Sequence, residues 1–364
     1  MTTTGAAPAD AGGLDAGELA ALARLADDVL SDSLDPTTAG LAPTFDPALW
    51  STLEEAGLTL LGVPAEAGGG GAGPAAAALV LAAGATHAAP LPLAETELAG
   101  WLLGAAGLPV PGGPLTAAAG PLVVEPGDGG RLSGRLERVP WARDATALVV
   151  LAGDGSGEEV VASLPREAWV LRSGANAAGE PRDDVVLDRA PCSIVGTAPP
   201  GAAAQFRLRG ALARAVQLAA AAERAVALTI RYTTEREQFG RPLARLQVVQ
   251  HLVAEAASLA TAGRAAADAA LRIVGEDGFG TERAELAVAV AKARTSAAAG
   301  PVAATAHQLH GALGFTLEHP LRLWSTRLWS WRTEFGDADS WHAVVGRRAI
   351  GARTPLFHTV TTLS

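Results

Sequence analysis

Tyr232-Thr-Thr-Glu-Arg-Glu-Gln-Phe-Gly-Arg-Pro-Leu-Ala-Arg-Leu-Gln247 reads as the turn between two long helices. Upstream of it Leu212, Val216, Val226 and Ile230 recur at multiples of about 3.6 residues, the helical period. Downstream Leu246, Val249, Val253, Ala256 and Leu259 repeat that spacing. Gly240 suits a helix end and Pro242 the first position of a new helix. The polar residues set this turn apart. Arg236 offers a planar fork of donors suited to phosphate, Gln238 and Gln247 add amides, and Phe239 adds a flat apolar surface. On composition alone the same stretch is a solvated helix hairpin.

Working outward, residues 203–351 read as helical. One helix covers 243–275 and another, rich in Ala, covers 281–309. Gln308-Leu-His-Gly-Ala-Leu-Gly-Phe315 breaks the pattern, and two further helices start near His319-Pro320 and Asp339. Gly311 and Gly314 permit positive φ and close approach of a ligand to backbone. On the N-terminal side the texture from Pro121 to about Thr197 is different. Leu122-Val-Val124, Ala147–Leu151, Glu159–Ala162, Trp169–Leu171 and Asp184–Leu187 are short β-branched runs punctuated by Gly, Asp and Pro, the pattern of an antiparallel sheet or small barrel. Before them come helices at Leu14–Leu30, from Asp46-Pro47 to Gly57, at 75–87 and at 93–107. The run Ala65-Glu-Ala-Gly-Gly-Gly-Gly-Ala-Gly73 carries no Lys and no GxxxxGK[ST] pattern, so it reads as a flexible connector and not a phosphate loop.

The expected class is therefore α+β, mainly α. It has a disordered tail (1–13), an N-terminal helical domain (14–118), a middle antiparallel β domain (119–200) and a C-terminal four-helix bundle (201–364). The chain has 364 residues and a formal net charge of −10. With no basic run, nucleic acid is not its expected partner. The single Cys192 excludes an intrachain disulfide and any multi-cysteine metal site, and His310 and His342 have no spaced partners that would suggest a metal. No apolar stretch is long enough to span a bilayer. The N-terminus has no basic region followed by an apolar core, so the expectation is a soluble, cytoplasmic protein.

Tyr-x-x-x-Arg-x-Gln-Phe-Gly-x-Pro-x-x-x-x-Gln resembles the signature turn of the acyl-CoA dehydrogenase family, flavoenzymes that desaturate acyl-CoA thioesters between the α and β carbons. The order of helices, strands and helices fits, as does Leu61-Gly-Val-Pro64 with its following glycines. The resemblance implies FAD as cofactor and a turn that reaches the flavin of the neighbouring subunit, with Arg236 at the pyrophosphate and Gln238, Phe239 and Gln247 nearby. Gln308-x-x-Gly311-x-x-Gly314-Phe315 resembles the family's second flavin-contacting segment, with Gly-Ala-Leu-Gly where Gly-Gly-x-Gly is usual. The implied partners are an acyl-CoA substrate, a homologous subunit or a second copy in a dimer or tetramer, and an electron-transfer flavoprotein.

The family chemistry needs a carboxylate to take the α-proton. Glu334, in Trp331-Arg-Thr-Glu-Phe-Gly-Asp-Ala-Asp339, stands near one of the two family positions, one residue out of register. The other position, around Arg207–Ala211, holds no carboxylate. Asp337 and Asp339 suit the cap of the last helix. In the strand region the hydroxyl donors expected around the flavin ring are missing: Glu125-Pro126 keeps a remnant, and Trp141 reads as a buried sheet residue. Motifs serving a neighbour's flavin are kept while those serving the chain's own are depleted. This resembles the bacterial α2β2 members, in sterol side-chain and related acyl-CoA breakdown, in which one subunit carries the base and the other completes the flavin site. The expected function is FAD-dependent acyl-CoA desaturation, alone or within an assembly, with a catalytically silent partner subunit as the alternative.

Overall fold

The computed structural model describes residues 13–36, 43–125, 130–155, 157–238, 240–316 and 319–351. Asp15 caps the first helix, α1 (Ala16–Ser33), by accepting from the Gly17 and Glu18 amides, while Glu18 reaches back to the Asp15 amide. Such a reciprocal box satisfies donors that the helix itself leaves open. Asp46 caps α2 (Pro47–Glu55) by accepting from the Ala48 and Leu49 amides, with Pro47 at the first helical position. Then come α3 (Gly73–Thr86) and α4 (Leu93–Ala105), the latter buried along nearly its whole length.

The glycine run between α2 and α3 is not a flexible connector. The amides of Gly69, Gly70, Gly71 and Ala72 donate to Pro64, Leu60, Val63 and Leu61 carbonyls, folding the loop flat on its own start. A Cβ on Gly69 would lie 2.2 Å from the Val63 carbonyl oxygen, so the glycines are there for contact.

The sheet has seven strands: β1 (Leu115–Glu125), β2 (Arg131–Pro140), β3 (Ala147–Gly153), β4 (Glu159–Pro165), β5 (Val170–Arg172), β6 (Arg182–Pro191) and β7 (Ile194–Thr197), in the order β5-β6-β2-β1-β3-β4-β7. Neighbours are antiparallel except β1 and β3, which run parallel, so the sheet is mixed. β1 starts at Leu115, ahead of the expected boundary at 119, and its register breaks between Ala119 and Val123.

The bundle is built on α5 (Ala202–Glu235), α6 (Gln247–Asp277) and α7 (Glu282–His310), with α5 joined to α6 by a tight hairpin whose short strands are β8 (Glu237–Gln238) and β9 (Arg241–Pro242). After a 3-10 turn at Gly311–Phe315, α8 (Arg322–Trp331) and α9 (Ala338–Gly351) pack back on it. Asp337 accepts from the Ser340 amide and so caps α9 as expected. Trp324, Trp331 and Trp341 are buried. One apolar core runs through α1–α3 and the bundle, and a second joins α4 to β1 and β3. Among the described residues no helix is long and apolar enough to cross a membrane.

Candidate flavin contacts and the cleft between sheet and bundle

Candidate site residues lie toward both ends of α5. At its C-terminal end Arg236 closes the helix, with its amide donating to the Tyr232 carbonyl and its carbonyl accepting from the Leu243 amide. The side chains of Arg236, Gln238 and Gln247 are exposed, and Arg236 forms no ion pair among the described residues. Phe239 lies outside the described residues. Because α5 and α7 run side by side in the same direction, the Gln308–Phe315 segment reaches the same end. Tyr232 stacks on His310 at 4.4 Å between ring centroids, so the two sequence motifs form one surface. There Gln308 is exposed, and Gly311 has φ +61° with open space where a side chain would stand. Gly314 packs so tightly that a Cβ would fall 2.8 Å from the His310 Cβ. A guanidinium, several amides and a bare backbone form a donor set that fits a pyrophosphate.

His310 is not isolated, as its sequence context had suggested. His307 stacks on Phe315 and His319 packs edge-on to His310. Among the described residues no group of His, Cys, Asp or Glu is arranged to hold a metal.

At the other end of α5, Phe206 lines a cleft of about 880 Å³ between sheet and bundle. Its sheet wall is Ala117–Pro121 of β1 and Arg135–Pro140 of β2, and its bundle wall carries Trp329, Ser330, Thr333, Glu334 and Phe335. The β1 wall offers no side-chain hydroxyl, and Thr116 beside it is committed to the Pro140 carbonyl. Glu125 sits at the far end of β1, 3.4 Å from Arg189, while 126–129 lie outside the described residues. Trp141 is buried and does not line the cleft. The cleft therefore offers a flavin ring far less than the hairpin offers a pyrophosphate. From Phe206 to Arg236 the helix rises about 45 Å. The hairpin and the cleft therefore lie toward opposite ends of α5.

Glu334 does face the cleft, but it is bound from behind. Its Oε1 accepts from Arg182 Nε and Nη2 at 2.9 and 2.7 Å, and its Oε2 accepts from Arg214 Nε at 2.7 Å. Arg214 also donates to Glu95 on α4 and to Gln217. Glu180, in the segment before β6, accepts from Arg182, from Arg327 of α8 and from the Trp331 indole. Three carboxylates and three guanidiniums thus balance at the junction of α4, α5, α8 and the sheet. Burial alone would raise Glu334, but the Arg214 and Arg182 guanidiniums outweigh it and hold its carboxyl below the ordinary range. Burial likewise opposes ionisation of Glu180, yet Arg327, Arg182 and Arg214 bring it down to about 2. The loop carrying Glu334 is pinned by the buried Lys292, whose ammonium donates to the Arg332 and Gly336 carbonyls, both at 2.9 Å. None of these partners was identified from sequence. A usable signal existed: Arg214 interrupts the apolar stripe Ala211–Val216 of an Ala-rich helix, where an unpartnered charge would be costly.

Comparison with known proteins agrees with this architecture. Residues 203–349 match the family described as acyl-CoA dehydrogenase, C-terminal domain. The probable acyl-CoA dehydrogenase FadE2 of Mycobacterium tuberculosis is 31% identical over 201 residues, 54% of this chain but only 47% of that protein. The acyl-CoA dehydrogenase IpdE2 of Mycolicibacterium smegmatis is 28% identical over 78% of this chain and 82% of its own length. Among solved structures, the ChsE4–ChsE5 complex from Mycobacterium tuberculosis superposes with a TM-score of 0.83 at 23% identity, covering 94% of this chain and 99% of that one. The Tcur3481–Tcur3483 steroid ACAD gives 0.81 at 26% identity, over 93% and 99%.

Proposed function

The chain belongs to the acyl-CoA dehydrogenase family, and from that footing we propose that it is the cofactor-completing member of a heteromeric dehydrogenase and does not take the substrate proton itself. In this reading its hairpin holds the FAD of a neighbouring homologous chain. Arg236 meets the pyrophosphate, Gln238, Gln247 and Gln308 supply amide contacts, and Gly311 and Gly314 let the cofactor approach the backbone. Bound flavin supplies the acceptor for the hydride that leaves the β carbon of an acyl-CoA thioester. The α-proton goes to a carboxylate of the neighbouring chain, and the electrons leave through an electron-transfer flavoprotein.

The observation that carries this reading is the state of Glu334. Both of its oxygens accept from guanidiniums, and a carboxylate so held is a weak base whose lone pairs are already directed. The depleted β1 wall and the ~45 Å scale of α5 support the same division of labour, as does the likeness at 26% identity to the Tcur3481–Tcur3483 steroid ACAD, which is named for two chains.

The test is flavin content per chain, alone and after co-expression with a homologue, followed by bleaching with an acyl-CoA. The reading expects a colourless chain alone, a yellow assembly, and unchanged bleaching when Glu334→Gln is introduced. A chain that is yellow by itself and loses bleaching in Glu334→Gln restores Glu334 as the base and overturns the proposal.

A further inference from the structure

A second concavity lies between α3, α4, α5 and the end of α6, sharing no lining residue with the cleft. It is a small pocket of about 80 Å³ with a wall of aliphatic side chains, among them Leu81, Leu212 and Val216. Only two lining residues are titratable, Glu97 on α4 and Arg209 on α5. The Arg209 guanidinium is sandwiched between the rings of Trp101, at 4.4 Å, and Phe279, at 3.9 Å. Stacking fixes the plane of the fork, yet its Nε is buried with no hydrogen-bond partner. Glu97 accepts from the Gly62 amide at 3.2 and 3.3 Å. No ion pair joins Glu97 to Arg209 among the described residues, so the two polar groups stand unpaired with each other on an apolar wall.

We propose that this pocket binds a small organic carboxylate with an apolar tail, its head lodged between Arg209 and Glu97 and its tail between α3 and α5. The head group follows from the charges. Burial pushes Glu97 up to about 7, against the hydrogen bonds from Gly62 and Leu61 and the attraction of Arg209. Burial pulls Arg209 down to about 9, with Glu97 opposing, so it stays cationic at neutral pH. Around neutral pH the pair therefore carries a charge between zero and plus one. That favours an anion and rejects an ammonium. A protonated Glu97 donates to the incoming carboxylate while Arg209 donates from the other side, the charge-assisted arrangement that is strongest when desolvated. The inference concerns α3 to α6 alone and stands whether or not the chain completes a flavin site.

The experiment is titration calorimetry on the full chain, in the oligomeric form in which it purifies, with hexanoate, hexan-1-ol and hexylamine. Hexanoate is expected to bind at least about tenfold more tightly than the alcohol or the amine, and to weaken as pH rises through the range in which Glu97 ionises. Arg209→Met is expected to bring hexanoate down to the level of hexan-1-ol. Glu97→Gln keeps a donor in place and is expected to retain binding while losing its pH dependence, which keeps the idea testable if Arg209→Met does not fold. No heat at millimolar hexanoate, an amine that binds as well as the acid, or a pH dependence that survives in Glu97→Gln each overturns the assignment.

Discussion

Replacing Glu334 by Gln separates a structural carboxylate from a catalytic one. The amide has the same shape, so in an enzyme where the residue served only as base the fold would scarcely respond, within about 0.5 kcal/mol. Here the carboxylate accepts three guanidinium hydrogen bonds. Gln can still accept from Arg182 at its one oxygen, but its amide nitrogen would face Arg214 Nε, donor against donor. The substitution also leaves three guanidiniums facing two carboxylates, an excess positive charge at a junction where Arg182, Arg214 and Arg327 are all buried. Breaking a buried pair costs about 3–5 kcal/mol. Because 19% of the Glu334 side chain remains accessible from the cleft, the low end, about 3 kcal/mol, is the expected loss. It is read as a shift in the denaturant midpoint at constant slope. In an Arg214→Met background the added cost of Glu334→Gln should shrink, giving a coupling of about 1–3 kcal/mol. Unchanged stability, or strict additivity with Arg214→Met, would refute the idea that this carboxylate is held by its arginines.

Gly210→Ala would place a methyl 2.3 Å from the Phe335 ring. Despite the better helix former it should destabilise by about 1–3 kcal/mol, and thermal melts that show a gain would contradict the packing. Arg236→Ala should leave the stability of the isolated chain within about 0.5 kcal/mol but strip flavin from the assembly; full flavin occupancy would remove the hairpin from the cofactor site. Two carboxyls give opposite pH slopes. Glu180, held down to about 2, contributes stability that is present above the ordinary Glu range and is lost as pH falls through about 4 toward about 2. Glu97, held up to about 7, contributes stability that is present in acid and is lost as pH rises from about 4 through about 7. Denaturation across pH should show both, and Glu97→Gln should remove only the second; a profile unchanged by that substitution would argue against the buried acid.

The hairpin was legible because its chemistry is local: helix, turn, cation and amides lie within sixteen residues of one another. The junction at Glu334 was not, because its partners Arg182 and Arg214 stand 152 and 120 positions away, and no periodicity reports such distances. The glycine run misled for a related reason. Glycines that allow flexibility and glycines that allow contact read alike until Val63 is seen against Gly69. The start of β1 was missed because Leu115–Ala119 is Ala-rich, with few β-branched residues to announce a strand, and the parallel β1–β3 pair is set by how the chain crosses the sheet.

The length of α5 has a further consequence. Under the proposed function, with the cofactor grip at one tip and the reaction chamber at the other, a solitary copy would have no route to becoming redox-active. Surplus copies would then stay inert instead of leaking electrons to oxygen, and the supply of working enzyme would be capped by whichever of the two partner chains is made in the smaller amount.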